Sequence, residues 1–467
     1  MIRPDRRLFL RSTAAIGGAG MLSLLPRMPA HAADTSGYKA MVCLFLRGGL
    51  DCHDLLLPYD QSSYDSYASI RETMIGGYGD GAASRERSNL TQLNAINNDS
   101  FNQRRFALPP EMPGVRALFE AGDAAIVANV GPLTEPVTRE QFLNDASALP
   151  RRLFSHNDQQ STWSALGPEG ARYGWGGLIA DRAVEAGANG EATFSVMSSS
   201  GHDVFLSGQL VQPYQLGLDG PPRFAAVENP GLLGTAYGSS AAMDLLREHY
   251  RGGASQRANY FERDMADASA KALGASELFS KAFAETPPLT TTFPQTFIGS
   301  QLKAIAQSIN LRDELDAGRQ VYIASQGGFD THSGQAGSLP ATLAQVDAAI
   351  TAFYQALGEM DIANGVVLFT ASDFGRTLSV NGDGTDHGWG AHHLVIGGSV
   401  NGRTIYGDPP PSVLEHDLDA EQGRLIPTLS VEQYASTLAR WFGLDSREVS
   451  SIFPNLATFG SSSLGFV

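Results

Sequence analysis

Four solid apolar runs set the limits on what this chain of 467 residues can become. They are 38–46 (YKAMVCLFL), 124–130 (AAIVANV), 320–325 (QVYIAS) and 365–371 (GVVLFTA). A strand that is apolar at nearly every position, rather than at alternate ones, has both faces covered, as in a parallel sheet packed between helices. Helical spacing lies between the runs. In 339–360, Leu343, Val346, Ile350, Phe353 and Leu357 recur at three- and four-residue steps. Shorter helices are expected at 110–121, 176–186, 297–315 and 431–442, and further strands at 193–197 and 393–397. This alternation predicts α/β architecture, with a large, mainly parallel central sheet flanked by helices. Residues 241–283 are polar with helical spacing and no strand candidate, so a mostly helical excursion is expected at about 241–296. The stretch 60–105, rich in Ser, Asn, Gly and Arg, reads as an insertion or surface loop.

The first 32 residues stand apart. Asp5-Arg6-Arg7-Leu8-Phe9-Leu10-Arg11 resembles a twin-arginine export signature. A mildly apolar stretch follows, then Ala30-His31-Ala32, a small-x-small cleavage pattern. The expectation is an exported protein of the periplasm or cell envelope, with 33–467 as its folded domain and no transmembrane helix in the mature chain. Formal charge is -16 overall, and the leader contributes +4, leaving -20 on the rest. So acidic a body repels nucleic acid, which excludes it as a partner. The two cysteines, Cys43 and Cys52, are too few for a disulfide framework.

Chemistry concentrates behind the strands. Asp330 and His332 follow the third apolar run and a Gly-Gly turn, Asp373 ends the fourth, and Asp386, His387, His392 and His393 crowd into eight residues. Asp51 follows the first run and its own glycine pair. Carboxylate oxygen and imidazole nitrogen are common ligands of divalent metals. In open α/β sheets, ligands bind at the carboxyl ends of the strands. Singly, each residue reads as well as a turn, a cap or a surface group; jointly they point to a metal site. In Phe154-Ser155-His156-Asn157-Asp158, Ser155 is a candidate nucleophile, although chain neighbours do not by themselves form a triad. Arg47 and Arg376 stand near proposed ligands and are candidates for holding anionic oxygens. There is no GxSxG elbow, Walker loop, zinc-finger spacing or dinucleotide fingerprint.

Taken together, LFLRGGLDCHDLLLPYD, FSHNDQQSTW, SQGGFDTHSGQ, SDFGRT and GTDHGWGAHHLVIGGSVNGRTIYGD resemble the exported bacterial family called domain of unknown function 1501. That family is grouped with the alkaline-phosphatase-like superfamily of phosphatases, sulfatases and phosphoglycerate mutases. The resemblance implies a central sheet with one or two metals along its edge. By position it assigns Asp51, Asp330, His332, Asp373 and His387 as ligands of Zn²⁺, Mn²⁺ or Ca²⁺, with Ser155 at the nucleophile position. Two departures stand out: Phe374 follows Asp373 where the family pattern pairs Asp with His, and the Asp330-to-His332 gap is short. Either Asp386 or His392 substitutes, or a second metal is weak or missing. The expected activity is hydrolysis of an anionic phosphate or sulfate ester. The alternative is a degenerate, non-catalytic envelope protein that binds a partner or polysaccharide.

Overall fold

Along the strand β1 (Lys39–Leu46), successive side chains enter opposite layers. Ala40, Val42, Leu44 and Leu46 join one apolar core, and Met41, Cys43 and Phe45 join another. The period of two in a pleated strand imposes this division, and a run apolar at both parities is needed to satisfy two cores at once. The computed structural model describes residues 33–222, 240–252, 257 and 259–467. Residues 33–467 form one compact unit; the leader expected at 1–32 lies outside the described residues.

In the small sheet, β2 (Leu57–Pro58) and β3 (Thr91–Gln92) flank β4 (Phe106–Leu108). The large sheet contains β1, β5 (Ala124–Gly131), β6 (Val196–Ser198), β7 (Tyr214–Gln215), β8 (Arg319–Gln326), β9 (Val366–Ser372), β10 (Ala391–Ile396), β11 (Ile405–Tyr406) and β12 (Leu429–Ser430). Its order is β11-β5-β10-β9-β1-β8-β6-β7, with β12 also paired to β5. Only β10 runs antiparallel to its neighbours, β5 and β9. The molecule is thus α/β, with a large, mixed but mostly parallel sheet flanked by helices.

One layer packs the helices Pro113–Ala121, Phe297–Asn310 and Gln335–Glu359 on the sheet; the other packs Trp175–Glu185, Val431–Phe442 and Ser446–Ile452. Among the described residues, the excursion after β7 carries the helices Ser240–Arg251 and Tyr260–Glu285. Among the described residues no helix is long and apolar enough to cross a membrane.

One expectation needs correction. Residues 60–105 are not a loop: they hold the helices Gln61–Ile70 and Glu72–Tyr78 and part of the small sheet. Their order comes from buried charge, since Arg71 and Arg85 are fully buried and reach back to Asp51 and Asp54. The FSHNDQQSTW stretch, read from sequence for its candidate nucleophile, opens the helix His156–Ala165 with Ser155 at the N-cap position.

Candidate functional site

Three of the loops at the carboxyl rim of β1, β8 and β9 meet because glycine lets them. Gly48, at φ +115°, would bring a Cβ to 2.4 Å from the Asp330 amide nitrogen. Gly49, at φ +90°, would press one against the Phe374 ring, again at 2.4 Å. Only a residue without a Cβ fits at either position. Asp330, behind β8, is thereby drawn toward Asp373, which ends β9. Arg376 locks the junction. Its buried guanidinium donates to Asp330 Oδ1 at 3.0 Å, to the Gly48 carbonyl at 3.0 Å and to Thr385.

Around Asp330 stand three imidazoles. His332 Nε2 lies 3.1 Å from Asp330 Oδ1, His387 Nε2 lies 3.5 Å from the same oxygen, and His156 Nε2 lies 3.5 Å from Oδ2. Each ring is anchored through its other nitrogen. His156 Nδ1 meets Asp373 Oδ2 at 2.6 Å, His332 Nδ1 meets Asp386 Oδ1 at 3.1 Å, and His387 Nδ1 meets the Phe154 carbonyl at 2.8 Å. A carbonyl only accepts, so His387 Nδ1 carries the proton and its Nε2 presents a lone pair. Carboxylates favour the same tautomer in the other two rings. Acceptors behind metal-ligating histidines do this work, fixing tautomer and aim.

One contact tests whether a cation fits. His332 Nε2 and His387 Nε2 are 2.9 Å apart, too close for two bare lone pairs, so a proton or a cation must lie between them. His156, Asp330 and His387 alone bring three ligand atoms within 4.8 Å of one another. Asp373 adds a second sign: it is fully buried, and its Oδ1 has no hydrogen-bond partner. Uncompensated buried carboxylate oxygen is costly, and a neighbouring positive charge relieves it. The donor set therefore suits a divalent ion.

Electrostatics follow the contacts. Burial pulls the Asp330 carboxyl upward, but the Arg376 hydrogen bond and charge hold it below the usual carboxylate range. The Asp373 hydrogen bond raises the pKa of His156 against the effect of burial. Burial lowers that of His387, with the Phe154 carbonyl opposing. Phe374 lies against the rings of His156 and His387, with centroids 4.8 and 4.5 Å away, and restricts their rotation. The turn leading into His156 is strained: Arg152 and Phe154 have φ of +54° and +70°. Non-glycine residues hold such angles where surrounding structure demands them, and here the Phe154 carbonyl is aimed at His387.

The residues singled out from sequence separate into groups. Asp330, His332 and His387 converge, while Asp373 and Asp386 stand behind them as acceptors rather than beside Asp330. Asp51 does not join. Its carboxylate is held by Arg71 at 2.7 and 3.0 Å and by Gln335 at 2.6 Å. His392 does not join either. Strand alternation sends it and His393 to opposite faces of β10, where His392 Nδ1 accepts the Asn129 amide at 2.9 Å and His393 packs on Trp163 and Tyr434. Ser155 donates to Asp158 Oδ2 at 2.9 Å and has no hydrogen bond to a histidine. Arg376 is spent on structure. Arg47 is partly exposed but paired with Asp203 at 2.6 Å and Gln160 at 2.9 Å. His156 was missed. The signal for it was Ser155-x-x-Asp158, a helix start that puts the intervening histidine on the first turn.

Residues 222–453 match the family described as Protein of unknown function (DUF1501). The DUF1501 match spans Asp330, His332, Asp373, Asp386 and His387, whereas His156 precedes it. Among curated proteins none matches the chain. Two solved structures align at 10% identity and a TM-score of 0.34. One, described as Ps i-CgsB in complex with k-i-k-neocarrahexaose, covers 90% of this chain and 76% of its own. The other, from Bacteroides thetaiotaomicron and described under metabolism of multiple glycosaminoglycans, covers 89% and 74%. At that TM-score neither bears on the fold or the activity.

Proposed function

We propose that the chain is an exported, metal-dependent hydrolase of phosphate or sulfate esters, on an alkaline-phosphatase-like fold. The observation that carries this reading is the convergence of three anchored imidazole Nε2 atoms on one part-exposed carboxylate at a sheet rim. His156, Asp330, His332 and His387 would hold the ion. A set dominated by imidazole favours Zn²⁺ over Mn²⁺ and Ca²⁺, which suit oxygen ligands better. A divalent ion in such a site polarises an ester's anionic oxygens and lowers the pKa of water.

The chain's own residues position everything else. Asp373, Asp386 and the Phe154 carbonyl keep the three Nε2 atoms aimed inward, and Arg376 fixes Asp330. With the Ser155 hydroxyl committed to Asp158, water is the proposed nucleophile. Its oxygen bonds to phosphorus or sulfur, the ester P–O or S–O bond breaks, and the departing alcohol takes up the water's proton. The products are an alcohol and inorganic phosphate or sulfate.

Elemental analysis of protein folded in metal-replete medium, beside an ester panel, tests the proposal. One ion per chain is expected, lost with hydrolysis in Asp330→Ala. Asp373→Ala should weaken metal affinity by about 10–100-fold, as loss of an acceptor behind a ligating histidine does. A wild-type protein that takes up no divalent ion, or hydrolysis undiminished in Asp330→Ala, would leave the partner-binding scaffold as the better reading.

A further inference from the structure

The helix His156–Ala165 has two duties. His156 on its first turn serves the imidazole cluster. Farther along, Asn157, Gln160, Ser161 and Ser164 recur at i, i+3, i+4 and i+7, so four polar side chains share one stripe. That stripe lines an open surface cleft of ≈ 280 Å³, bordered by Arg47, the 169–171 loop and the 202–204 segment. Its size falls near the lower end of the roughly 300–1,000 Å³ typical of small-molecule sites.

Part of the lining consists of polar groups left uncommitted, while Arg47, Gln160, Ser161 and Asp203 have partners. Within the described residues, the side chains of Asn157, Ser164, Glu169 and His202 make no hydrogen bond or ion pair, although Ser164 is buried. Amide, hydroxyl and imidazole both donate and accept, and an ionised carboxylate accepts. By residue type the lining is mostly polar, with Ala171 and Val204 its aliphatic members, while carbon atoms and polar atoms share the exposed surface about evenly. Nor is the cleft suited to an anion, because Arg47 is neutralised by Asp203 at 2.6 Å and Glu169 adds a negative charge. A neutral, hydroxyl-rich group that also presents C–H faces matches this mixed surface; a lipid chain or a carboxylate does not.

The cleft is wired to the cluster. Arg47 donates to Gln160 Oε1 at 2.9 Å, Gln160 Nε2 donates to Asp373 Oδ2 at 2.9 Å, and the same oxygen holds His156 Nδ1. A group seated in the cleft therefore touches the residues that orient a proposed ligand. We infer that this cleft binds the alcohol half of the ester and that this half is a polyol or sugar. The inference rests on the hydrolase reading for the word ester, and on the cleft alone for the polyol.

Two measurements separate those parts. Metal-loaded protein is titrated with D-glucose and myo-inositol, followed by NMR, and the same titrations are run on Ala171→Phe, which fills the cleft, and Asn157→Leu, which removes an exposed donor. Both polyols should bind the wild type, and each variant should weaken binding by about tenfold, the scale of one or two lost hydrogen bonds, with metal content unchanged. Glucose 6-phosphate and glucose 6-sulfate should also be hydrolysed about tenfold better, by kcat/KM, than the matching ethyl esters. Absence of polyol binding, equal binding in Ala171→Phe, or tighter binding of benzoate or octanol would overturn the inference. Polyol binding without hydrolysis of any ester would sink the hydrolase reading and leave the cleft assignment standing. Hydrolysis without sugar preference would do the reverse.

Discussion

Asp51 and Asp330 look alike in sequence: each is an aspartate behind an apolar run and a glycine pair. Their fates differ because of partners far along the chain. Asp330 keeps a carboxylate 46% exposed beside three imidazoles, whereas Asp51 is clamped by a fully buried guanidinium. Burial alone would raise the Asp51 pKa, but the charge and hydrogen bonds of Arg71 take it below the usual range. That arginine sits in a stretch whose composition reads as loop, so nothing local betrayed the pair. Removing one partner of a buried pair strands the other charge, which costs about 3–5 kcal/mol. Asp51→Ala should therefore lower unfolding stability by about that amount in urea melts, with metal content equal to wild type. Full stability together with lost metal would return Asp51 to the site.

The strand β10 carries the clearest element-scale consequence. Its two histidines are buried on opposite faces, and desolvation pushes both down to about 3. In the unfolded chain an imidazole takes up its proton below about pH 6.5. The unfolded state then binds more protons than the folded one, so stability is complete above that pH and declines as pH falls from 6.5 toward 3. Each such group steepens the decline by about 1.4 kcal/mol per pH unit. His393→Phe, which keeps a ring between Trp163 and Tyr434, should flatten the slope by that amount between pH 6 and 4. An unchanged slope in urea midpoints would mean that His393 titrates normally. Elements with strong periodicity were the legible part of the fold: β1, β5, β8, β9 and the long helix Gln335–Glu359 lie within a few residues of where apolar spacing puts them. The helix His156–Ala165 was not legible, because its buried face includes Asp158, Gln159 and Ser161, which are polar. Its hidden side resembles a surface, and His156 went unnoticed with it.

At the scale of the whole molecule, the proposed centre joins segments distant in sequence. His156 follows β5, Asp330 and His332 follow β8, Asp373 ends β9, and His387 precedes β10. No disulfide ties them, since Cys43 and Cys52 are both free and buried. An ion held by all of them binds the folded arrangement and not the extended chain, so its affinity becomes folding stability. At a hundredfold excess over Kd that linkage amounts to about 2.7 kcal/mol. Chelation should consequently lower the Tm of the wild type by several degrees, reversibly on adding Zn²⁺ or Mn²⁺. The same treatment should leave His387→Ala unmoved, because that variant has already lost the linkage. A chelator shift of full size in His387→Ala would place the stabilising ion elsewhere in the molecule, and the imidazole cluster would then be held together by protons and hydrogen bonds alone.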